Sequence, residues 1–495
     1  MFTVVGYVCF FVYTIALVFI GLFCLMQLHL LVIFIFYKKK YAQDYKPDLI
    51  ENFPVVTVQL PIYNEKYVVE RLIDSIVNFN YPKENLEIQV LDDSTDETRD
   101  IIIKKVDDLI TQGIDIKVVY REDRVGFKAG ALKEGLLTAK GELIAIFDAD
   151  FIPNPDFLLK TVPYFKKSDV GVVQTRWGHI NQNFSLLTEL QAFQLNAHFT
   201  IEQAGRAYGN YFLQFNGTAG IWRKDTIIDA GGWQADTLTE DLDLSIRSQL
   251  EGWKIHYLVE TVSPAELPVE MNGLRSQQYR WMKGGAENAK KLIKKLWKSD
   301  LNNLKKIHST FHLLSSSVFI FIFLLGIVSI PMLFTIDHIR LNTSFFGYFL
   351  SSLISIIAVY FVANVLIAWP KKHFVLRILK FLTLFPIFLS LSMGLSLHNT
   401  IAVISGWKGR QSDFIRTPKY GISKNNDSFA GKKYFKSDLS PIVWLEGFFA
   451  ILFLVAIIYG FVVNKGYFII LHSCLALGFA IIFWYSILHS LRGRA

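Results

Sequence analysis

A membrane protein carrying one embedded α/β domain is the architecture expected of this chain, on three grounds. Of its 495 residues 52% are hydrophobic and 15% aromatic, too apolar for a single water-soluble globule. Apolar runs long enough to cross a bilayer stand at both ends of the chain. Between them, from about Pro54 to Ile307, the pattern changes to alternating strand-like and helix-like segments. The formal charge of +8 is concentrated beside the apolar runs, at Lys38-Lys39-Lys40 and between Lys290 and Lys306. That placement suits cytoplasmic, anionic lipid headgroups rather than nucleic acid. Cys9, Cys24 and Cys474 all fall inside apolar runs and offer neither a disulfide framework nor a metal site. The N-terminus has no basic start and its apolar run is too long, so no cleavable signal peptide is expected.

Taken in order, 1–37 reads as one long spanning helix, and Lys38 to Lys40 place its end, and the domain after it, in the cytoplasm. The domain is expected over 50–286. Within it 55–60 reads as a buried strand, followed by a helix carrying Val68, Leu72 and Ile76. A strand at 86–91 precedes a helix from Asp96, and strands at 116–120 and 143–147 flank a helix from Phe127. Such alternation argues for a parallel sheet covered by helices on both faces. Leu292, Ile293, Leu296, Trp297, Leu301 and Leu304, spaced among lysines, then mark an amphipathic helix over 287–308. It is expected in the headgroup plane, a surface helix of the domain being the alternative. Two spans are expected over 309–370 and two over 441–491, with a cytoplasmic loop at 405–440. The apolar run at 376–403, interrupted by Pro386, Gly394, His398 and Asn399, is read as part of an interfacial or re-entrant segment over 371–404. If it spanned, basic Lys371-Lys372 and the basic loop at 406–436 would face opposite sides. Five true spans result, with Arg492 and Arg494 inside.

Ligands of such sheets bind beyond the carboxyl ends of the strands, where three motifs fall. Pro61-Ile62-Tyr63-Asn64-Glu65 follows the first strand, Asp92-Asp93 the second and Asp148-Ala149-Asp150 the fourth. A nucleotide-sugar must lose a nucleoside diphosphate, and a hard divalent cation held by one or two carboxylates and phosphate oxygens neutralises the departing charge. Asp148 and Asp150 suit Mg2+ or Mn2+ and the diphosphate, Asp93 suits diphosphate or metal, and Asp92, Tyr63 and Glu65 suit base and ribose. Arg124 to Gly130 open a helix whose free N–H groups, with Lys128, suit phosphate, a structural turn being the other reading. Asp241 in Thr239-Glu240-Asp241 is placed at a helix start as a general base, with Thr239 as its cap. The plainer reading is that Glu240 and Asp241 only favour the helix N-terminus. In Gln277-Gln278-Tyr279-Arg280-Trp281, Arg280 supplies a fixed cationic fork and Trp281 a flat face for a sugar, or else the pair anchors a helix at the membrane.

Together these residues resemble the processive, membrane-embedded family 2 glycosyltransferases of the cellulose synthase superfamily, whose signature is D, D-x-D, T-E-D and Q-x-x-R-W in this order. It matches at Asp93, Asp148 with Asp150, 239–241, and Gln277 with Arg280-Trp281, and the resemblance runs from about Pro54 to Tyr420. Ile88 to Ser94, Val173 to Trp177 and Phe215 to Gly220 bring it nearest the cellulose-synthase-like A and C branches, glucomannan and xyloglucan-backbone synthases, and bacterial relatives. Phe414 to Lys419 resembles the F-x-V-T-x-K gating loop, with Arg416 where Val is usual. The resemblance implies a nucleotide-diphospho-sugar transferase fold of GT-A type with a Rossmann-like mixed sheet, set in a polytopic helical membrane protein. It implies an inverting displacement with Asp241 as base and a β-glycan product leaving through the membrane helices. Trp281, Gln277, Glu240, Phe215, Asn216 and Gly217 would stand near the acceptor, and Phe414, Arg416, Thr417 and Lys419 over the donor. The cyclic-di-GMP-binding β-barrel of regulated bacterial relatives is not expected here.

UDP-glucose is the favoured donor and GDP-mannose the second, with a β-1,4-glucan or mannan as product. The implied partners are the nucleotide-sugar, a glycan acceptor, membrane lipids and accessory export proteins, in a plasma, inner or Golgi-type membrane. A transferase adding one sugar to a membrane lipid is the first alternative, and a non-enzymatic transport or scaffold protein the second.

Overall fold

The computed structural model describes residues 2–44, 52–338, 347–367, 373–410, 412, 414–423, 427–435 and 438–492. Lys371 and Lys372, on which the interfacial expectation for 376–403 rests, lie outside these residues, as does Arg494.

Seven strands form one sheet in the order β3-β2-β1-β4-β6-β5-β7. They are β1 (Val56–Ile62), β2 (Leu86–Asp92), β3 (Ile116–Tyr120), β4 (Leu143–Ile146), β5 (Val170–His179), β6 (Gly220–Arg223) and β7 (Lys254–Ala265). The first four are the strands expected from sequence, and they pair in parallel. The all-parallel expectation is corrected at β6, which runs antiparallel to both β4 and β5. Its first residue, Gly220, lies opposite Ile146, the last of β4, so the chain re-enters the sheet from the carboxyl rim and must run back along it. The sheet is therefore mixed, as the GT-A resemblance implied. Because strand side chains alternate in direction, Leu143 and Ala145 enter one core with Val58 and Leu60, while Ile144 and Ile146 enter a second with Leu91 and Trp222. Burial on both faces accounts for the unbroken apolar run of β4, while the polar positions of β1 and β2 are buried as hydrogen-bonded pairs, Thr57 with Glu87 and Gln59 with Gln89.

Among the described residues, five helices are long and apolar enough to cross a membrane: Phe2–Gln43, Ser315–His338, Phe374–Gly394, Ile442–Val462 and Gly466–Leu491. The number equals the expectation, but the membership differs. The run expected as a span near 346–369 is a shorter helix, Gly347–Phe361, that continues as a π-turn over Val362–Leu366. The run expected at the interface instead stays helical for 21 residues through Pro386. The first helix extends to Asp44 and touches the α/β domain directly. There Lys38 pairs with Glu260 at 2.9 Å, and the Tyr41 hydroxyl lies 2.7 Å from His256 Nδ1 on β7.

The segment expected as one amphipathic helix over 287–308 is divided between helices Met271–Lys298 and Asn303–Leu313. Asn302 caps the second, its side chain accepting the Lys305 N–H at 2.8 Å. Leu292 and Leu296 are buried against Phe212, Leu242 and Ile246 of the domain, while Trp297 and Leu304 remain exposed. The apolar face is thus used largely to join the Gln277–Trp281 helix to the domain.

Without water to drive helix association, apolar helices rely on close backbone approach at small residues. Helix Phe374–Gly394 meets helix Ile469–Arg492 in this way: a Cβ at Gly478 would run into the Ser390 carbonyl, and one at Gly394 into the Gly478 backbone. Gly478→Val should cost about 1–3 kcal/mol through overpacking and lower the thermal midpoint of purified protein in nanodiscs. An unchanged midpoint would mean that these helices are not held against each other there.

Candidate active site

The motifs at the ends of β1, β2 and β4 share one cavity of about 410 Å³ with the loop before β6, the start of helix Glu240–Leu250, helix Met271–Lys298 and the segment 414–419. Tyr63, Glu65, Asp93, Lys128, Asp148 and Asp150, the residues expected to meet the donor, line it. Asn216, Gly217, Glu240, Asp241, Gln277 and Trp281 line it too. Residues as far apart in sequence as Tyr63 and Lys419 thus meet at the carboxyl rim of a single sheet.

Crowding carboxylates in a half-buried cavity raises their charging cost, and the surrounding cations answer it. The Asp93 carboxylate takes both arms of the Arg121 guanidinium, Nε at 3.0 Å. Arg124 lies 3.9 Å from the same carboxylate and stacks 3.4 Å over the Tyr63 ring. Lys128 donates to Asp148 and, at 2.9 Å, to the Gly217 carbonyl. Burial works against the Lys128 ammonium, yet the charges of Asp148, Glu240 and Asp241 outweigh it and raise its pKa. Asp150 receives the Lys419 ammonium at 2.6 Å.

Asp241 opens helix Glu240–Leu250, and its Oδ1 accepts the Leu242 N–H at 2.9 Å. Burial, with the neighbouring Glu240 charge second, pushes its carboxyl up to about 7, while Lys128 partly offsets both. Burial likewise raises Glu240. The backbone of Gly217 turns at φ +77°, and a Cβ there would stand 3.2 Å from Asp241 Oδ2. A side chain at that position would be strained and would crowd the carboxylate, which accounts for glycine in the Phe-Asn-Gly-Thr stretch.

The segment 414–435 is docked over the cavity by contacts along its described length. The Arg280 guanidinium donates to the Thr417 hydroxyl at 3.1 Å and lies 4.6 Å from the Phe414 ring centroid. Phe414 in turn stacks on Phe127. Arg416 pairs with Glu65 at 2.6 Å. Burial still leaves the Glu65 carboxyl pushed up to about 7 despite that guanidinium. Both oxygens of buried Glu266 accept backbone N–H groups of the segment, Tyr420 at 2.9 Å and Ile422 at 3.2 Å. Further along, the Tyr434 hydroxyl donates to Asp96 at 2.6 Å.

Three sequence expectations are corrected. Asp92 does not line the cavity: as the last residue of β2 it points away from Asp93, is 1% exposed, accepts the Ser94 N–H at 2.9 Å and pairs with Arg99. Phe215 is fully buried in the core against Trp222 and leaves the lining to Asn216 and Gly217. Thr239 sits at the helix start but makes no side-chain cap; its hydroxyl instead accepts from Asn288 at 2.9 Å, joining the two helices. Arg121 and Glu266 were missed altogether, since nothing local distinguishes them from surface charges. The remaining expected site residues all line the cavity, Arg416 being occupied by Glu65 rather than free for phosphate.

Among the described residues no group of three or more His, Cys, Asp or Glu could hold a metal unaided. Asp148 and Asp150 nevertheless fit a hard divalent cation, because both present oxygen donors to one cavity and such ions complete their shell from phosphate and water. The Asp148 side chain is 35% exposed, and an incoming ion would compete there with the Lys128 ammonium.

Comparison with known proteins agrees with this geometry. Residues 54–284 match the family described as "Glycosyltransferase like family 2". Glucomannan 4-beta-mannosyltransferase 1 of Oryza sativa subsp. japonica is 40% identical over 262 residues, covering 52% of this chain and 50% of the relative. Glucomannan 4-beta-mannosyltransferase 2 of Arabidopsis thaliana is 43% identical over 247 residues, 49% of this chain and 46% of the relative. Probable glucomannan 4-beta-mannosyltransferase 3 of Arabidopsis thaliana is 34% identical over 381 residues, 75% and 66%. The chain thus spans about half the length of the first two relatives. A solved structure, mannosyltransferase PcManGT from Pyrobaculum calidifontis in complex with GDP-Man and Mn2+, covers 83% of this chain and all of its own with TM-score 0.51 at 17% identity, a likeness of fold.

The Asp241 environment gives a pH signature. Its carboxyl holds a proton more tightly in the fold, to about 7, than the unfolded value of about 3.9. The associated stability is present below the unfolded value and lost as pH rises through the folded one. Ligand-free protein should therefore melt lower at pH 8 than at pH 5, and Asp241→Asn, which cannot ionise, should flatten that decline and raise the pH 8 midpoint by a few degrees. Parallel pH profiles for both proteins would contradict this.

Proposed function

Because the chain belongs, through residues 54–284, to glycosyltransferase family 2, we propose that it is an inverting membrane glycosyltransferase extending a β-linked mannan-type glycan from a nucleotide-sugar. The observation that carries this reading is the convergence of Asp148, Asp150 and Asp241 on one cavity. The plant relatives are named for mannosyl transfer and the archaeal structure holds GDP-Man, so the donor preference moves from UDP-glucose to GDP-mannose. The same complex, with Mn2+, supports a divalent cation.

Asp148 and Asp150 would hold Mg2+ or Mn2+, which supplies neutralisation of the departing diphosphate. Asp241 takes the proton of the acceptor hydroxyl as that oxygen bonds to the anomeric carbon and the bond from this carbon to the diphosphate breaks. Its pKa near 7 suits a base working near neutral pH. Arg280 and Lys128 stay beside the diphosphate, and Trp281 offers its face to the acceptor sugar. Lys419, paired with Asp150 at 2.6 Å, would release that carboxylate to a cation and the diphosphate, and 414–419 would close over the donor as a lid that excludes water. The domain faces the cytoplasm, where nucleotide-sugars are made, and the apolar helices carry the product across.

Purified chain in lipid nanodiscs should release GDP from GDP-mannose in preference to UDP from UDP-glucose and build products of several sugars. A single sugar on lipid would overturn chain growth, and no release from any nucleotide-sugar would overturn the enzyme. Asp241→Asn should lower turnover about a hundred- to ten-thousand-fold with the donor KM nearly unchanged. Near-normal turnover would move the base elsewhere.

Excess chelator, or Asp150→Asn, should abolish transfer while leaving the thermal midpoint of the chain in place. Full activity in chelator would exclude the metal role given to Asp148 and Asp150.

A further inference from the structure

Lys283 carries a buried cation that the reaction does not use. It follows Trp281 by two residues on helix Met271–Lys298, its side chain is 1% exposed, and it is not among the residues that line the cavity. Its ammonium donates to the Ser412 hydroxyl, two residues before Phe414, and lies 3.6 Å from Glu287 Oε1, one turn along the same helix. The other oxygen of Glu287 accepts the Leu238 N–H at 2.8 Å, three residues before Asp241. Lys283 and Glu287 thus reach from the root of the 414–419 segment to the loop that leads into the Asp241 helix.

Neighbouring contacts fix both ends of this bridge to the one helix. A Cβ at Gly284 would stand 2.5 Å from the Thr239 hydroxyl oxygen, so the glycine lets the loop lie directly on the helix. Asn288 then donates to the Thr239 hydroxyl and carbonyl, and Lys291 pairs with Asp236 at 2.7 Å and with Asp243 at 2.8 Å. A Cβ at Gly406 would likewise stand 2.6 Å from the Lys283 carbonyl oxygen, so helix Ser396–Lys408, which precedes Ser412, lies equally close. Stability alone gives no reason for the charge. A buried ion pair is often no more stable than apolar side chains of the same volume, and this ammonium has only one carboxylate, 3.6 Å away, and one hydroxyl. Burial also raises the Glu287 carboxyl, against the Leu238 N–H and Lys283.

We propose that Lys283 and Glu287 are positioning residues for the transfer: by joining Ser412 to Leu238 across one helix, they hold the lid in register with the Asp241 carboxylate. This role rests on the transferase reading, with Asp241 as base and 414–419 as lid, and supplies what keeps the two together. A base and a lid set independently would let the base act while the donor is open to water. Water then takes the place of the acceptor hydroxyl. Its oxygen bonds to the anomeric carbon, Asp241 takes its proton, the bond to the diphosphate breaks, and free sugar leaves with the nucleoside diphosphate. With the lid root held to the same helix as the base, a seated lid excludes water from the place where the base acts.

The full chain in nanodiscs, given GDP-mannose and β-1,4-linked mannotetraose, tests this by counting GDP released against mannose transferred. Wild type should give one transfer per GDP. Lys283→Met, which keeps the volume and removes the cation, should not lower the thermal midpoint. It should lower transfer about tenfold, the loss expected for a hydrogen bond from a charged group, and release GDP well in excess of transfer. Ser412→Ala removes only the far end of the bridge and keeps the test open if Lys283→Met does not fold. It should show the same excess of GDP, with transfer lowered about three- to tenfold. The double variant should fall no further than Lys283→Met alone, since both changes break one contact. One-to-one release and transfer in both single variants would overturn the positioning role, and so would losses that multiply in the double variant. A midpoint that falls with activity in Lys283→Met, while Ser412→Ala matches wild type, would mean a structural lysine and overturn it too. Any of these beside a wild type that transfers overturns this role alone, whereas a wild type that transfers nothing overturns the transferase reading beneath it.

Discussion

Confining negative charge in one cavity is the constraint around which this molecule is arranged. Asp93, Asp148, Asp150, Glu240, Asp241 and Glu65 border a single space partly removed from water, where each charge is costly unless a cation stands beside it. The cations come from three directions. Arg121 and Lys128 belong to the sheet domain, Arg280 to the helix that leaves it, and Arg416 and Lys419 to a segment beyond three of the apolar helices. The cavity is thus completed only when the membrane part and the sheet domain are assembled together.

Assembly is secured by contacts that have no catalytic content. Glu266 accepts two backbone N–H groups of the 414–435 segment and so fixes its path to the wall of the sheet domain. Buried Arg275 on the Gln277–Trp281 helix pairs with Glu446 on helix Ile442–Val462. Asn288 binds the Thr239 hydroxyl and carbonyl, tying that same helix to the start of the one bearing Asp241. One helix, Met271–Lys298, therefore ties the Trp281 ring and the start of the Asp241 helix to apolar helix Ile442–Val462.

Much of this was legible in the residues, and the reasons are local. Alternating aliphatic residues mark β1 and β2 and an unbroken apolar run marks β4, and the acidic pairs at the ends of β2 and β4 mark the rim. β6 was not legible: four residues long and beginning at a glycine, it owes its existence to pairing on both sides rather than to its own pattern. Asp92 and Asp93 are indistinguishable by type, and only the end of β2 decides which one faces the ligand. Thr239 looked like a helix cap, but Asn288, 49 positions away, claims its hydroxyl. The polar pair Glu202 and Arg206, four apart on one helical stretch, meets His312 only through the fold and forms no motif with it.

The proposed reaction turns on Asp241 acting across the anomeric centre from the departing nucleoside diphosphate. The anomeric configuration of the first bond made by the purified chain from an α-linked donor, read by NMR of the isolated product, tests this most directly. A β-linked product formed one for one with released diphosphate is the predicted result. An α-linked product, or diphosphate released without any sugar transferred, would contradict it.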